Sequence, residues 1–562
     1  MTARTELAGL AALVCVAGAL ASVASGASGA TAPSHPCLVA TGSGDLPFAR
    51  NFNPFANPLD FTSGAIYEPL VVVTSAGGGR IYDWLASKLA WSRDLRTLTL
   101  TVRHGVRWSD GLPLTNEDVA YTLTAGRQDR AMDQIGLLRP GNEVEWVRPV
   151  GTDRVAIRLS RVDTQFVETV LANNVRVVPK HVWTHVRHPA TWLNPSPVGT
   201  GPFDLVERFG NQSYVLGRNP RYWQPREPRI RCVERVVASS PESAVLQMVA
   251  GEVDVTDNLL PNVRKAYVAH DPAHFHYYYP ADAPGIGLFF DDTAYPFSIV
   301  ALRKAISLAI DRETLTLAEY RYARTVDAIG INRAWPGWVP KPVAGEAAAL
   351  AAYDPQAARQ LLLGAGFTYD GTTLLDPKGD PVTMDATVIA GWSDWYADWD
   401  EIAKDLDAIG IAVTIDAVPN FGAWVPDAST TKKATLLWST GIDTTSPYGY
   451  FKEHLDASSF VPSGADAELT GDWEHFRDAE ATALLGRYRA TNDVAVQHRI
   501  AARLERIWLD QLPFVPLFAT PAWSTYSTRY FVGFPSAVDD YVVPDFTNVD
   551  YVVALTRIRP RR

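Results

Sequence analysis

Residues 105–123 read GVRWSDGLPLTNEDVAYTL, and residues 301–313 read ALRKAISLAIDRE. In the first stretch Trp108 precedes the turn-forming pair Asp110-Gly111. Thr115 with Asp118 three residues on predicts a capping box, and a helix running on through VAYTLTAGR. In the second, apolar residues recur at helical spacing and predict a helix from Arg303 to Leu317. Working outward, LTLTVRHGVRW (97–108) alternates as a strand entering a turn, and DRVAIRLS (153–160), MDATVIA (384–390) and IAVTIDAV (411–418) read as further strands. GAIYEPLVVVT (64–74) reads as a short helix running into a strand. Helices are predicted over 241–250, 354–364, 398–409 and 497–511. The Cys232 strand, the 241–250 helix and the strand at 252–256 make a strand–helix–strand unit, the mark of a parallel sheet with a covering helix. The fold class is therefore α/β.

A chain of 562 residues is too long for a single core. NPSPVGTGPF (194–203) has the Pro/Gly-rich character of a domain crossing. With 47% hydrophobic and 20% charged residues the balance is that of a globular protein. A net charge of −11 argues against a nucleic-acid partner, which requires a basic face. The aromatic supply, 17 Trp, 22 Tyr and 21 Phe, serves cores first, but large rigid rings also suit concave binding surfaces.

Residues 1–30 read as a cleavable export signal: Arg4, an apolar run from Leu7 to Val23, then the small residues ASGASGA (24–30). An uncleaved anchor is the alternative. No later stretch reaches the roughly 20 apolar residues of a membrane span. Val14 before Cys15 is too bulky for a lipid-attachment site. With Cys15 removed, Cys37 and Cys232 remain. An even pair in an oxidising compartment points to one disulfide, with two free thiols as the alternative. Both lie in β-like runs, so the bridge would staple distant parts of one sheet if those strands are neighbours.

Catalytic signatures are missing from the sequence. There is no nucleophile elbow, no His-Glu-x-x-His helix and no Cys-x-x-Cys pair. GGGR (77–80) lacks the Lys-Ser/Thr of a phosphate loop. His270, His274 and His276 are spaced poorly for one metal site. Asp291-Asp292 alone makes a weak case for a glycosidase.

YEPL (67–70), DWLASKLAWSRD (83–94), GVRWSDGLPLTNEDVAYTL, GTGPFDL (199–205), RNPRYW (218–223), GEVDV (251–255), LRKAISLAIDRE (302–313) and LPFVPLF (512–518) follow one another in an order that resembles the extracytoplasmic solute-binding proteins of ABC importers. The resemblance is to solute-binding protein family 5, which includes dipeptide-, oligopeptide- and oligosaccharide-binding members. It implies a two-lobe periplasmic-binding-protein-like fold (type II) with an extra domain inserted in the first lobe. On this map lobe I is 37–75, 196–288 and 521–562, the inserted domain 76–195, and lobe II 289–520. Cys37 and Cys232 then share a lobe, which supports the disulfide. The resemblance further implies an exported monomer, periplasmic or at the outer face of the cytoplasmic membrane. It would work with permease and ATPase subunits, and it carries no cofactor, metal or catalytic residue. An exported hydrolase is the distant alternative.

Peptide leads as the ligand, being the commoner assignment in the family, with a cellobiose-like oligosaccharide as the alternative. In DTTSP (443–447) Asp443 matches the acidic residue that pairs with a peptide's ammonium in peptide binders, although WSTGID places two extra residues between Trp438 and Asp443. A turn-initiating Asp is the plain reading. Trp438 and Tyr448 flank that segment and join it as binding candidates. PNVRKAYVAHDP (261–272), GWSDWYADWDEIAKDL (391–406) and FPSAVDDYVVP (534–544) are similar to the oligosaccharide-binding branch. Trp392, Trp395 and Trp399 fall on one helix face, as a packed stripe or as stacking rings for sugars. Trp424 and the loop Asn51-Phe52-Asn53 complete the candidate set. In LFFDD (288–292), Asp291 stands where the family often has Asn, at a position expected on the hinge side.

Overall fold

The structure is a computed structural model. It describes residues 35–562 apart from 43–47, 57, 138–143, 173, 239–240, 261, 281–284, 318–321, 332–334, 336, 391, 431–432, 439–443, 466 and 468–470. The proposed export signal and Asp443 lie outside the described residues.

Two large mixed sheets organise the chain from Pro36 onward. The first has seven strands in the order Phe275–Tyr277, Thr525–Ser527, Val255–Thr256, Cys37–Gly42, Cys232–Val237, Ser213–Arg218, Phe203–Phe209. Cys37–Gly42 runs parallel to both Cys232–Val237 and Val255–Thr256, so the helix Pro241–Ala250 is the predicted crossover. Cys37 and Cys232 are register partners and form a disulfide. The second sheet has six strands in the order Arg324–Thr325, Val515–Ala519, Ile286–Phe289, Ala434–Trp438, Thr383–Ile389, Ala412–Val418. Each sheet has its own hydrophobic core. One is drawn from residues 38–255 and 526–558, the other from residues 286–518. This is the two-lobe α/β architecture.

Among the described residues the chain passes between the two sheets twice. The chain leaves the first sheet after Tyr277 and enters the second at Ile286; it leaves the second at Ala519 and returns at Thr525. The connections lie side by side, since Tyr278 N–H donates to the Ser524 carbonyl at 2.8 Å and Ala522 N–H to the Pro280 carbonyl at 3.0 Å. Two adjacent connections between two cores are placed as a hinge. Gly285 is required at its end, because a Cβ there would sit 1.6 Å from the Phe518 carbonyl oxygen.

A four-stranded antiparallel sheet, in the order Ala86–Trp91, Thr97–Val102, Arg154–Leu159, Val144–Val150, is built from the segment between the first strand and the rest of the first sheet. Leu98, Leu100 and Val102 face inward and the intervening threonines are half-buried, the alternation seen in the sequence. The helix Asn116–Thr124 starts with the capping box between Thr115 and Asp118. In the WSDG turn Trp108 is fully buried, Gly111 has φ +98°, and the Leu112 N–H donates to the Asp110 carboxylate at 3.0 Å.

Three sequence expectations are corrected. GAIYEPL forms turns rather than a helix, because its backbone is engaged by distant segments: Phe203 N–H donates to Ala65, Gly201 N–H to Ile66 and Val177 N–H to Glu68. The helix expected over 398–409 begins earlier, at Ser393, with Trp392 at its N-cap. The helix expected from Arg303 to Leu317 is two helices, Val300–Ala309 and Arg312–Leu315. Ile310 is extended, and Asp311 caps the second helix by accepting from the Glu313 and Thr314 N–H groups. The buried Arg312 guanidinium supports the break by donating to the Ser307 carbonyl at 2.8 Å and the Pro516 carbonyl at 2.9 Å.

Candidate functional site

The strands Thr383–Ile389 and Ala434–Trp438 run parallel and end on the same edge of the second sheet. That edge is the one the hinge meets, because Trp438 pairs with Ile286 and Ile286 with Phe518. The helix Ser393–Asp407 starts there too. Three indoles gather as a result. Trp392 and Trp395 are 4.8 Å apart, Trp395 and Trp438 4.9 Å, and Trp392 and Trp438 5.7 Å between ring centroids. Trp395 is buried and Trp392 half-buried, whereas Trp438 is 41% exposed and rests on the other two. Trp399, one turn on, is fully buried in the core. The half-buried Asp394 beside them has its carboxyl raised above the usual range by burial. The exposed Trp438 ring is thus backed by two further indoles at the edge that the hinge meets.

The other candidates are placed elsewhere. Trp424 is buried in the second lobe, its indole N–H donating to the Thr435 hydroxyl at 3.1 Å and its ring 5.3 Å from Trp473. Tyr448 is buried against Tyr488. Phe52 and Asn53 are fully buried, and the Asn53 amide donates to the Pro189 and Trp192 carbonyls at 2.7 and 2.8 Å. The half-buried Asn51 accepts from the Asn53 N–H and donates to the Ala56 carbonyl. These side chains hold the NFNPF loop to the segment before Pro195.

The motifs that carry the resemblance meet in the scaffold. Glu68 of YEPL is fully buried and accepts from Trp84 Nε1 at 2.7 Å, Tyr222 O–H at 2.9 Å and Trp223 Nε1 at 3.1 Å. Burial pushes its carboxyl up to about 7, against the lowering effect of these donors. Asp204 of GTGPFDL is likewise raised to about 7 by burial, with Ser109 opposing. Ser109 N–H donates to the Gly199 carbonyl, and Arg221 Nη1 to the Ser109 carbonyl, both at 2.9 Å. In the second lobe Arg303 is buried, donating to the carbonyls of Phe297, Gln511 and Leu512. These residues bind the scaffold together.

Asp291 is not on the hinge side. It follows the far end of Ile286–Phe289, where it accepts from Thr293 N–H at 2.9 Å and from the Ser463 hydroxyl. Asp292 is buried opposite Arg303 at 3.5 Å, so the pair does not face the hinge edge as catalytic carboxylates would. His274 pairs with Asp271 at 3.0 Å and His276 with the Thr528 hydroxyl at 3.1 Å. Among the described residues no group of three or more His, Cys, Asp or Glu is placed to hold a metal ion, and no helix is long and apolar enough to cross a membrane.

Two α/β lobes joined by two adjacent connections, with three indoles gathered at the hinge edge, are an architecture shared with bilobed binding proteins. The chain belongs to the bacterial extracellular solute-binding proteins, family 5, whose middle-region model matches residues 80–460. It is 26% identical over 338 residues to the nickel-binding periplasmic protein of Escherichia coli (strain K12), covering 58% of this chain and 61% of that one. It is 25% identical over 320 residues to the periplasmic oligopeptide-binding protein OppA of Salmonella typhimurium, covering 51% and 55%. The chain thus spans less than two thirds of either curated relative. Over 94% of this chain and 99% of the other it superposes on a periplasmic oligopeptide-binding protein of Thermotoga maritima, with TM-score 0.82 and 26% identity. The mannohexaose-bound form of that protein gives TM-score 0.80 and 25% identity, with the same coverage.

Sequence reading named Trp392 and Trp395 as candidates for their helical spacing and Trp438 as a flank of the DTTSP segment, and the structure brings these three rings together. It missed Glu68, whose signal is an acidic residue inside an apolar run, with Trp84, Tyr222 and Trp223 as remote donors.

Proposed function

We propose that this chain is the substrate-binding component of an ABC importer, acting outside the cell as a monomer and without catalysis. In this reading it holds an oligosaccharide in the inter-lobe cleft, stacked on Trp438 with Trp392 and Trp395 behind it. The observation that carries the ligand class is the half-exposed Trp438 ring, backed by two indoles at the hinge edge. The likeness to a mannohexaose-bound relative supports it. The division into lobe I (37–75, 196–288, 521–562), an inserted domain (76–195) and lobe II (289–520) is part of the same proposal, supported by the separate cores on either side of the hinge. An oligopeptide is the second reading. It is favoured by the oligopeptide-binding relative and by the DTTSP segment, where Asp443 would pair with the ligand's ammonium.

Titration of the mature protein with manno- and cello-oligosaccharides, followed by tryptophan fluorescence and calorimetry, tests the platform. Trp438→Ala is expected to weaken binding of the recognised saccharide by about 10–100-fold, the scale of a central aromatic contact. An unchanged Kd removes Trp438 from the site.

A further inference from the structure

The first sheet also turns an edge toward the hinge. Phe275–Tyr277 runs into the hinge, and Thr525–Ser527, antiparallel to it, comes out of it. Val255–Thr256 is antiparallel to Thr525–Ser527, so it points at the hinge, and Cys37–Gly42 and Cys232–Val237 run the same way. The carboxyl ends of these strands therefore meet the hinge edge of the first lobe, across from the edge of the second lobe that carries Trp438. Such strand ends are where open α/β sheets receive ligands.

Asp257 is the first residue beyond Val255–Thr256. Its carboxylate lies across the end of the neighbouring strand, where only a glycine leaves room for it: a Cβ on Gly42 would stand 2.0 Å from Asp257 Oδ1. Oδ1 is closed to solvent and has no hydrogen-bond partner among the described residues. The charged groups that act on this carboxyl most strongly are Asp545, Arg235 and Asp60. The cation of these, Arg235, is engaged elsewhere. Its Nε donates to Asp60 at 2.8 Å, and its Nη1 donates to the Gly42 carbonyl at 3.4 Å and to the Val236 carbonyl. Asp545 accepts from the Thr547 N–H at 2.9 Å and from its hydroxyl at 2.6 Å. Burial first, and then Asp545, push the Asp257 carboxyl well above the usual carboxylate range, with Arg235 opposing. A carboxyl this deep, with neither a donor on Oδ1 nor a cation of its own, costs stability. An incoming cationic donor would supply both.

We propose that Asp257 is a specificity-determining residue of the cleft and receives a protonated amino group of the ligand. A cationic N–H gives Oδ1 the hydrogen bond it lacks and adds a second cation to the carboxylates around Arg235. If the ligand is a saccharide, the group is that of an amino sugar in the chain; if it is a peptide, it is the terminal ammonium. The proposal rests on the reading of the chain as a protein that binds its ligand between the lobes, and not on which of the two ligands that is. Trp438 and Asp257 belong to opposite walls, so one ligand can present a ring face to the first and an amino group to the second.

The test is calorimetric titration of the full mature chain at about pH 6, where an α-amino group is protonated. Two matched pairs of probes are used: a β-1,4-linked glucosamine trimer with its N-acetylated counterpart, and trialanine with N-acetyltrialanine. Acetylation removes the charge and leaves the rest of each probe in place. In one pair the free amine is expected to bind at least about tenfold more tightly, and Asp257→Asn is expected to reduce that preference to about twofold or less. A preference in the sugar pair places the amine on a saccharide. A preference in the peptide pair alone upholds the role of Asp257 and removes the saccharide reading. Binding of cellotriose without a preference in either pair overturns the amine inference and leaves the saccharide reading standing. No binding of either free amine, or a preference that survives in Asp257→Asn, also overturns it. Without ligand, Asp257→Asn is expected to melt no lower than the wild type, since no hydrogen bond to Oδ1 is lost. A lower melting temperature would make the carboxyl a structural group and overturn the inference as well.

Discussion

Replacing Glu68 with alanine is expected to destabilise the first lobe by about 3–5 kcal/mol at pH 5.5, the scale of a buried network losing its shared acceptor. Trp84 Nε1, Trp223 Nε1 and the Tyr222 hydroxyl all donate to this one carboxyl group. Without it three donors face an apolar interior. Glu68 also ties stability to pH. Its pKa is raised by burial to about 7 from 4.5. Below pH 4.5 the group is protonated in the folded and unfolded chain alike. Between the two values the folded chain keeps a proton that the unfolded chain has lost, so stability falls as pH rises. Above about 7 both forms are charged and the loss is complete, at about 3 kcal/mol for this one group. Glu68→Gln keeps an acceptor for the donors and cannot ionise. It is therefore expected to cost less than alanine at pH 5.5 and to flatten the decline toward pH 8. Urea denaturation of the three proteins at both pH values checks this. An unchanged midpoint for Glu68→Ala, or an undiminished slope in Glu68→Gln, contradicts it.

Removing the disulfide with Cys37→Ser and Cys232→Ser is expected to cost about 4 kcal/mol, because the bridge closes a long loop in the unfolded chain. The sequence separation is 195 residues, and both cysteines sit in adjacent parallel strands of the first sheet. The second lobe's core contains neither. Scanning calorimetry should therefore show the first lobe's transition moving to lower temperature while that of the second stays in place. Equal shifts in both would mean that the lobes unfold as one unit. No shift would mean that the bridge does not constrain the unfolded chain.

Local rules carried much of the fold. The capping box at Thr115, the parallel unit around the 241–250 helix and the alternation in TLTLTV depend on neighbours in the chain, and they stand as read. Where distant segments compete for the backbone, local reading fails. GAIYEPL has helical composition, but its carbonyls are taken by residues 177, 201 and 203. The Arg303 helix breaks where the side chain of Arg312 reaches carbonyls in the helix before it and the strand at 515–519. The candidate site was readable in part. Spacing put Trp392, Trp395 and Trp399 on one helix face, yet only sheet topology shows that the exposed ring is Trp438, from another element.

In the proposed function the inter-lobe cleft holds a saccharide. Native mass spectrometry of the mature protein, purified from its own source without added ligand, tests it most directly. Bound species whose masses differ by whole hexose units are expected, and they should be lost or strongly reduced in Trp438→Ala. A ladder of bound masses spaced by amino-acid residues would contradict it and make the chain a peptide carrier.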